Sequence, residues 1–459
     1  MKSKVMLIMP PFSQTRQAMK RCLFPLGLGY LAAVLEEAGH DVMAVDCIAE
    51  GYDTVRDDGV ELTFGLSDEE IRRRVQYFKP DFVGISVLIS RQVWNAYRVC
   101  KIVKEVDLKI ETIVGGCHPS ALPESMHHNL DVDYVVVGAG EAAILRIVDG
   151  HESGIVQTPE IPVATIPWPA RHLFPMERYF EINMPTSVFS PHRRVAQIEM
   201  TRSCPFDCCF CSTTQFRGKY QTRPVGDCLQ EVQFLKEKYD IDELDIIDSN
   251  LIVNRKWTMR LLKGLKDIGV AWSNAGGIWV GGLDEEMLVL MKESGCYQLS
   301  LAIESSTPRI LNEVINKPLK LEMVKPVVAV CKKIGIDLHA FFVCGFPEQS
   351  KEEILNDYSF AKEMGFTSAS FNIICPLPGS RIYDKYKGSL SFDAVDLRKS
   401  SIPHPELGRR EMERLVAGMN RRFNASLIFR NPIMFVKKYV ATILRKPSLG
   451  LIKRIFNRQ

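Results

Sequence analysis

The sequence has 459 residues, enough for about two to three domains of ordinary size. Its composition, with 46% hydrophobic and 25% charged residues, is typical of a globular protein and excludes a collagen-like, low-complexity or disordered chain. The net charge of +3 arises at the end of the chain, because residues 415–459 contain ten Lys and Arg and neither Asp nor Glu.

The apolar run at the start of the chain is too short for a signal peptide and is typical of a first β-strand. No segment approaches the roughly 20 consecutive apolar residues that a membrane span needs. Thirteen cysteines without an export signal indicate a reducing compartment, so we expect a cytoplasmic protein without disulfides.

Residues 4–140 alternate between nearly continuous apolar runs and segments with helical spacing of apolar residues. Such runs are typical of parallel strands buried on both faces and joined by helical crossovers. We therefore predict an α/β domain with a doubly wound, Rossmann-like sheet over residues 1–148. The predicted strands are 5–9, 42–46, 82–87, 112–116 and 134–138, and the predicted helices are 26–38, 68–78 and 92–105.

Small residues follow the third, fourth and fifth of these strands, at the ends where ligands of such sheets bind. Glycine lets the backbone approach a bulky ligand closely, and its exposed amides can meet phosphate or amide groups. The pattern predicts a nucleotide-like cofactor. The candidate residues are Ser86, Gly115, Gly116, His118, Gly138, Gly140 and Glu141.

Residues 149–192 contain prolines at short intervals. Spaced prolines exclude long helices and central strands, so we expect an extended linker between two domains. The prolines are Pro159, Pro162, Pro167, Pro169, Pro175 and Pro185.

A second series of strands and helices occupies residues 193–390. Six β/α units predict a partial (β/α)6 TIM-like barrel whose chemistry lies at the C-terminal ends of its strands. The predicted strands are 195–200, 244–248, 270–274, 298–303, 339–344 and 368–374, and the predicted helices are 225–239, 255–268, 284–294, 321–334 and 351–364.

Directly after the first barrel strand, Cys204, Cys208 and Cys211 form a C-x3-C-x2-C set. Thiolates hold iron–sulfur clusters, and a complete set for one cubane is four. Three cysteines therefore predict a 4Fe–4S cluster with one iron open to another ligand. A zinc site, which would need a fourth ligand and commonly a second pair of cysteines, is the alternative, and Cys209 is interpreted as a bystander.

Residues 391–459 predict a helical, basic C-terminal region. From Asn431 to Lys446, apolar residues share one helical face with Lys and Arg around it. Such a helix can lie on an anionic membrane surface. We favour a helix docked on its own barrel with a solvated basic face slightly over the membrane surface, and nucleic acid is the third option.

Two sets of motifs resemble the cobalamin-binding radical SAM superfamily. The cysteine motif resembles its cluster loop. The Pro-Pro-Phe segment at Pro10, the Gly-Gly-Cys-His-Pro segment at Gly115 and the Gly-Ala-Gly-Glu segment at Gly138 resemble its cobalamin-binding domain, with Ala139 in place of a usual glutamate. The resemblance implies cobalamin on the first domain, and the alternative is a Rossmann-like domain that has lost its cofactor. His118 is either a cobalt ligand or, as we favour, a turn residue packed beside the loop.

In the barrel, the resemblance implies S-adenosylmethionine on the open iron. The segment at Asp248 matches an Asp-Asp-Asn-Phe motif with Ser249 in place of the second aspartate, and the strand end at Glu304 matches a Gly-Ile-Glu-Ser-Gly motif. The residues implied to contact S-adenosylmethionine are Phe210, Asp248, Asn250, Glu304 and Phe342.

For activity, the resemblance implies reductive cleavage of S-adenosylmethionine to a 5′-deoxyadenosyl radical and, most often, transfer of a methyl group to an unactivated carbon of a small-molecule or lipid substrate. Cyclisation and carbon–carbon coupling without methylation are alternatives. Radical methylthiolation of RNA is less favoured, since the other cysteines are not spaced for a second cluster. A non-catalytic binding role is less favoured as well. A reductant protein such as flavodoxin or ferredoxin is the implied partner.

Overall fold

The computed structural model describes residues 2–16, 20–59, 61–183, 186, 190, 192–390, 399–430, 432 and 436. Its strands are β1 (Lys4–Met9), β2 (Phe12–Thr15), β3 (Asp41–Asp46), β4 (Val55–Asp57), β5 (Glu61–Phe64), β6 (Phe82–Ser86), β7 (Glu111–Gly115), β8 (Tyr134–Val137), β9 (Gly154–Gln157), β10 (Val195–Ile198), β11 (Thr201–Arg202), β12 (Gln221–Thr222), β13 (Glu243–Ile246), β14 (Ala271–Ile278), β15 (Cys296–Glu304), β16 (Asp337–Cys344) and β17 (Ser368–Ile373).

The α-helices of the described residues are α1 (Leu26–Glu37), α2 (Cys47–Glu50), α3 (Asp68–Phe78), α4 (Val93–Val106), α5 (Cys117–Ala121), α6 (Pro123–His127), α7 (Glu141–Val148), α8 (Met176–Ile182), α9 (Thr213–Arg217), α10 (Val225–Tyr239), α11 (Arg255–Ile268), α12 (Glu285–Glu293), α13 (Val324–Ile334), α14 (Lys351–Met364), α15 (Arg381–Tyr386) and α16 (Arg409–Arg430). Local chemistry fixes several of their ends. Ser67 and Glu70 form a capping box on α3, as do Ser350 and Glu353 on α14, which ends at the left-handed Gly365.

The first sheet is six-stranded and parallel, in the order β3-β1-β6-β7-β8-β9. The chain moves outward from β1 to β3 and then returns to the other side of β1 at β6, so the topological switch lies between β1 and β6. This confirms the predicted doubly wound domain. A small antiparallel sheet, β2-β5-β4, was not predicted.

The second sheet is also six-stranded and parallel, and its strands follow chain order, β10-β13-β14-β15-β16-β17. Helices α10 to α14 connect successive strands, which confirms the predicted partial barrel. The last helix, α16, covers the edge strand β17. There the side-chain amide of Asn420 donates to the Phe371 carbonyl at 2.8 Å and accepts from the Phe371 N–H at 3.0 Å, as a neighbouring strand would.

The segment predicted as an extended linker packs against both domains. It contains β9, which is an edge strand of the first sheet, followed by short helical turns and α8. Arg171 lies at its centre, fully buried, with its guanidinium 2.6 Å from Glu231 on α10 and over the ring of Phe24. The linker is therefore structured, and the prolines limit only the length of its elements.

The predicted basic helix from residue 431 lies outside the described residues, apart from positions 432 and 436. None of the helices in the described ranges combines the length and apolar character needed to cross a lipid bilayer.

Candidate active site

The loop that carries the three cysteines, residues 203–212, directly follows β11, which pairs with β12 in a separate two-stranded sheet, and is called the cluster loop below. Backbone hydrogen bonds attach it to two other parts of the barrel. The N–H of Cys209 donates to the Ile315 carbonyl at 2.9 Å, and the Cys209 carbonyl accepts from Ile382 at 3.0 Å. Cys209 thus anchors the loop through its backbone, while the neighbouring Cys208 side chain is buried.

The three predicted cluster cysteines are free thiols. Burial raises the pKa of Cys204 and raises that of Cys208 to about 12, opposed in both cases by the positive charge of Lys317. Thiols in such surroundings ionise only when a strong positive charge, such as a metal, binds them. The site therefore suits thiolate ligands of a metal centre rather than free reactive thiols.

No group of three or more Cys, His, Asp or Glu in the described ranges is arranged to hold a single metal ion. A mononuclear zinc site needs all its sulfurs about 2.3 Å from one point. A cubane bonds each thiolate to a different iron, so its cysteines stand further apart.

Lys317 and Glu304 form a buried ion pair beside the cluster cysteines, with Nζ 3.2 Å from Oε1. Glu304 ends β15 in a left-handed conformation, at φ 68°, which is strained for a side chain of this kind. Asn316, just before Lys317, donates its side-chain amide to the carbonyl of Asp207 in the cluster loop at 3.2 Å. Lys317 was not predicted, because only the fold brings residues 304, 317 and 208 together.

Asp248 and Asn250 follow β13 and lie on the same side of the barrel as the cluster loop. The Asn250 side-chain nitrogen is 4.0 Å from the sulfur of Cys204, and its Oδ1 is buried with no hydrogen-bond partner among the described residues. Asp248 accepts from the N–H of Met200 at 2.8 Å, and burial raises its pKa to about 7. An unpartnered acceptor beside Cys204 fits a ligand that carries an amino group.

The two aromatic residues predicted for this site differ in placement. Phe210 lies in the cluster loop, half-buried, with its ring 6.4 Å from that of Phe346. The ring of Phe342 is fully buried on the helical side of the sheet, stacked 5.1 Å from Phe371 and edge-on to Phe360 of α14. The Phe342 side chain therefore packs in the core, and the predicted contact of Phe342 with S-adenosylmethionine, which stays a prediction, would use its backbone.

At the carboxyl end of the first sheet, the predicted glycines serve two purposes. Gly116 has φ 121°, and a Cβ there would lie 2.6 Å from the carbonyl oxygen of Val87, so this glycine allows close packing of the protein on itself. Gly138 has φ 84°, and no described atom lies within 4 Å of a Cβ built on it. Gly138 therefore leaves open space at its α-carbon, at the edge of the sheet where the buried Ser86 pairs with Gly115.

His118 is buried, and its ring nitrogens contact two hydroxyl groups, Nδ1 with Ser90 at 2.9 Å and Nε2 with Ser125 at 3.3 Å. Burial lowers its pKa to about 4. Both nitrogens are thus occupied within the domain, which agrees with the packing role that we favoured over cobalt ligation.

Gly140 precedes α7 and Glu141 is the first residue of that helix, but the Glu141 carboxylate does not border the open space. It is buried and pairs with Arg202 of β11 at 2.8 Å, two residues before Cys204. Helices α5 and α9 also contact each other across the two domains. The carboxyl end of the first sheet therefore meets the cluster loop directly, and Glu141 joins the domains.

Comparison with known proteins gives matches to both halves. Residues 17–148 match the family described as B12 binding domain, and residues 198–361 match the Radical SAM superfamily. The chain is 34% identical to cytidylyl-2-hydroxyethylphosphonate methyltransferase of Streptomyces wedmorensis, over 92% of this chain and 90% of that protein. It is 25% identical to anaerobic magnesium-protoporphyrin IX monomethyl ester cyclase of Rubrivivax gelatinosus, over 85% of this chain and 71% of that protein.

Among solved structures, the radical S-adenosylmethionine methyltransferase TsrM of Kitasatospora setae has a similar fold. The TM-score is 0.66 at 16% identity, and the match covers 84% of this chain and 77% of that one. At this identity the likeness concerns the fold.

Proposed function

We propose that this chain, which belongs to the radical SAM enzymes that carry an N-terminal B12-binding domain, transfers a methyl group to an unactivated carbon of a small-molecule substrate. Its cofactors are a 4Fe–4S cluster, S-adenosylmethionine and cobalamin. The observation that supports the assignment most directly is the meeting of the two sheets, because Glu141 at the cobalamin edge contacts Arg202 beside the cluster loop. When bound, the cluster supplies the electron that cleaves S-adenosylmethionine, and cobalamin supplies the methyl group.

The cysteines of the cluster loop have the role of ligands in this proposal. Cys204, Cys208 and Cys211 would each hold one iron as thiolates, and the Lys317 ammonium offsets part of their negative charge. Backbone anchoring of Cys209 keeps the loop fixed without using the Cys209 thiol. The fourth iron is left without a protein ligand.

The residues around the loop would orient S-adenosylmethionine. Asn250 offers an unpartnered oxygen beside Cys204, and Glu304 offers a carboxylate already held by Lys317. A charged acceptor binds an ammonium or a ribose hydroxyl more strongly than a neutral one does. On the opposite side, the open space at Gly138 would admit cobalamin beside Ser86 and Gly115. Gly116 and Gly140 would act by letting the loops around this space pack closely, since a Cβ on them would meet Val87 and Leu31.

The test uses full-length protein reconstituted without oxygen with iron, sulfide and hydroxocobalamin, then given a reductant and S-adenosylmethionine. Methyl transfer through cobalamin leaves S-adenosylhomocysteine, and reductive cleavage leaves 5′-deoxyadenosine. We expect both products, together with iron and corrinoid retained by the chain. 5′-Deoxyadenosine without S-adenosylhomocysteine would favour cyclisation or coupling. The Rubrivivax relative is named as a cyclase.

The Streptomyces relative is named for cytidylyl-2-hydroxyethylphosphonate, so that compound is the first substrate to try. With S-adenosylmethionine carrying a deuterated methyl group, mass spectrometry of the mixture shows whether the label enters the compound. No transfer to it, with cofactor turnover intact, would direct the search to other small molecules.

A reductant protein such as flavodoxin or ferredoxin is proposed as the physiological electron donor. Replacing the chemical reductant by reduced flavodoxin should sustain 5′-deoxyadenosine formation.

We also propose that the basic C-terminal region contacts membranes. Replacing Lys437, Lys438, Arg445 and Lys446 together by glutamine in the full chain should reduce co-sedimentation with anionic liposomes. Equal sedimentation of the two proteins would remove the membrane proposal, and with it the reason to consider lipid substrates.

A further inference from the structure

Arg202 joins the two halves of the molecule at the point where their cofactors would meet. Its Nη2 lies 2.8 Å from Oε1 of Glu141 and 3.5 Å from Oε2 of Glu199. Glu141 directly follows the Gly138–Gly140 turn of the first domain, and Arg202 stands two residues before Cys204. One guanidinium therefore links the backbone that borders the open cobalamin space to the first cysteine of the cluster loop.

The contact belongs to a group of charges that we call the interdomain ion cluster, made of Glu141, Glu199, Arg202 and Arg217. Arg217 of α9 pairs with Glu199, so the two cations and two carboxylates balance. The guanidinium of Arg202 also lies over the ring of Tyr30 on α1, 5.8 Å from its centre. Glu141 in the first turn of α7 gains further from the positive end of that helix.

Because the interdomain ion cluster is buried, the loss of one of its contacts would be costly. The side chains of Arg202, Glu141 and Glu199 are 10%, 7% and 5% exposed, so little water is available to replace a lost contact. A planar guanidinium can contact two carboxylates and an aromatic face at the same time, whereas an ammonium has neither the fork nor the plane. Carboxylates from both domains contact the same Arg202 atom, Nη2, and the Tyr30 ring lies against the guanidinium, so these three contacts together hold the side chain in place.

We propose that Arg202 is a positioning residue that sets the separation and orientation of cobalamin relative to the iron–sulfur cluster. This inference rests on the proposed function, because it requires both cofactors to bind. It goes beyond that function by assigning the geometry between the two cofactors to a single protein contact that touches neither reacting atom.

The experiment compares reconstituted wild-type protein with Arg202→Lys, Arg202→Met and the charge-exchanged double variant Glu141→Arg/Arg202→Glu. Arg178→Lys is the matched control, since Arg178 pairs with Asp53 between the linker and the first domain at an exposed position. The main readout is the electron paramagnetic resonance signal of cobalamin in its Co(II) state, recorded with the cluster oxidised and reduced. A nearby reduced cluster speeds the relaxation of the cobalt spin.

In the wild type and in Arg178→Lys we expect the same strong enhancement of relaxation. In Arg202→Lys and Arg202→Met the enhancement should weaken or become heterogeneous, and S-adenosylhomocysteine formed per 5′-deoxyadenosine should fall by about 10²-fold, the cost of a misplacement of roughly 1 Å. The charge-exchanged variant keeps an ion pair between positions 141 and 202 and should restore part of both, which a nonspecific folding defect would not do; the restoration stays partial because the carboxylate at position 202 then faces Glu199.

Unchanged relaxation and product ratio in a folded Arg202→Met protein would overturn the inference while leaving the proposed function intact. Failure of the wild type to retain corrinoid would instead overturn the proposed function and the inference with it. If Arg202→Met does not fold, Arg202→Lys and the charge-exchanged variant decide the matter by the same two measurements.

Discussion

The two parallel sheets present different chemistry at their carboxyl ends. The first sheet offers backbone and small residues there; His118 is satisfied within the domain by Ser90 and Ser125, and Glu141 pairs with Arg202 across the domains. The barrel sheet offers thiols, carboxylates and a buried ammonium. It also offers the side-chain amide of Asn250, whose oxygen has no hydrogen-bond partner among the described residues. The first surface is shaped to admit a large ligand, and the second is charged to bind and activate one.

This difference indicates how each sheet should respond to mutation. Substitutions at the carboxyl end of the first sheet act through volume and backbone conformation, so changes of charge there should matter little, except at Glu141, which pairs with Arg202. Substitutions at the barrel edge act through charge and ligation, so even isosteric changes should be costly. The predictions below test this division, beginning with the largest expected effect.

Replacing Cys204, Cys208 or Cys211 singly by alanine should abolish 5′-deoxyadenosine formation and reduce iron from about four per chain to near zero, since a cubane held by two thiolates is labile. Cys209→Ala is the matched control, because Cys209 holds the loop through its backbone, and it should keep most of its iron. Iron analysis and turnover assays measure both. Full iron content in any of the three variants would contradict the ligand assignment.

Glu304→Gln should destabilise the cofactor-free protein by about 3–5 kcal/mol, because it leaves the buried ammonium of Lys317 without its carboxylate. Denaturant unfolding of the apoprotein measures this change. The double variant Glu304→Gln/Lys317→Met should recover most of the loss, since both charges are then gone. Additive destabilisation by the two changes would show that the pair is not coupled in solution.

At the carboxyl end of the first sheet, Gly138→Val should impair cobalamin binding and Gly116→Ala should impair folding. The strained backbone of Gly138 costs a side chain of the order of 1–2 kcal/mol, so Gly138→Val should fold but lose cobalamin from the space it fills. Gly116→Ala should lose folded protein itself, since its Cβ meets the Val87 carbonyl. Circular dichroism and the absorbance of bound hydroxocobalamin separate the two outcomes. Undiminished cobalamin in Gly138→Val would move the site elsewhere.

His118→Gln should have the smallest effect at neutral pH and leave cobalamin bound. Because burial lowers the pKa of His118 to about 4, against roughly 6.5 when unfolded, the fold favours the neutral ring. Its contribution to stability is complete above pH 6.5 and is lost as the pH falls toward 4, by about 3 kcal/mol in all. The difference between wild-type and His118→Gln unfolding free energies, measured from pH 7 to 4, should show this loss. A difference independent of pH would refute the assigned pKa.

Much of the fold could be predicted from the sequence because its signals are local. Helices α3 and α14 begin at capping boxes and were predicted with the bounds the structure shows. The small sheet β2-β5-β4 was missed because its strands are short and because β2 pairs with a strand about fifty positions away, Phe12 lying opposite Phe64.

In the site, the cysteine motif was found from its spacing and Asn250 from the resemblance of its segment to a family motif, and the structure places Asn250 beside Cys204. The roles of Glu141, Arg202 and Lys317 could not be found in this way. Each depends on a partner supplied by a distant element, and a lone charged residue in a sequence is usually a solvated one.

The contact between Asn420 and Phe371 also bears on whether molecules of this protein aggregate. By filling the hydrogen-bonding positions of Phe371, the asparagine leaves the last strand of the barrel no exposed template at that residue. Edges without such protection recruit strands from neighbouring molecules. A chain that ends before α16, or one that carries leucine at position 420, should therefore self-associate through β17. Helix α16 thus protects the strand edge from intermolecular pairing as well as covering the core.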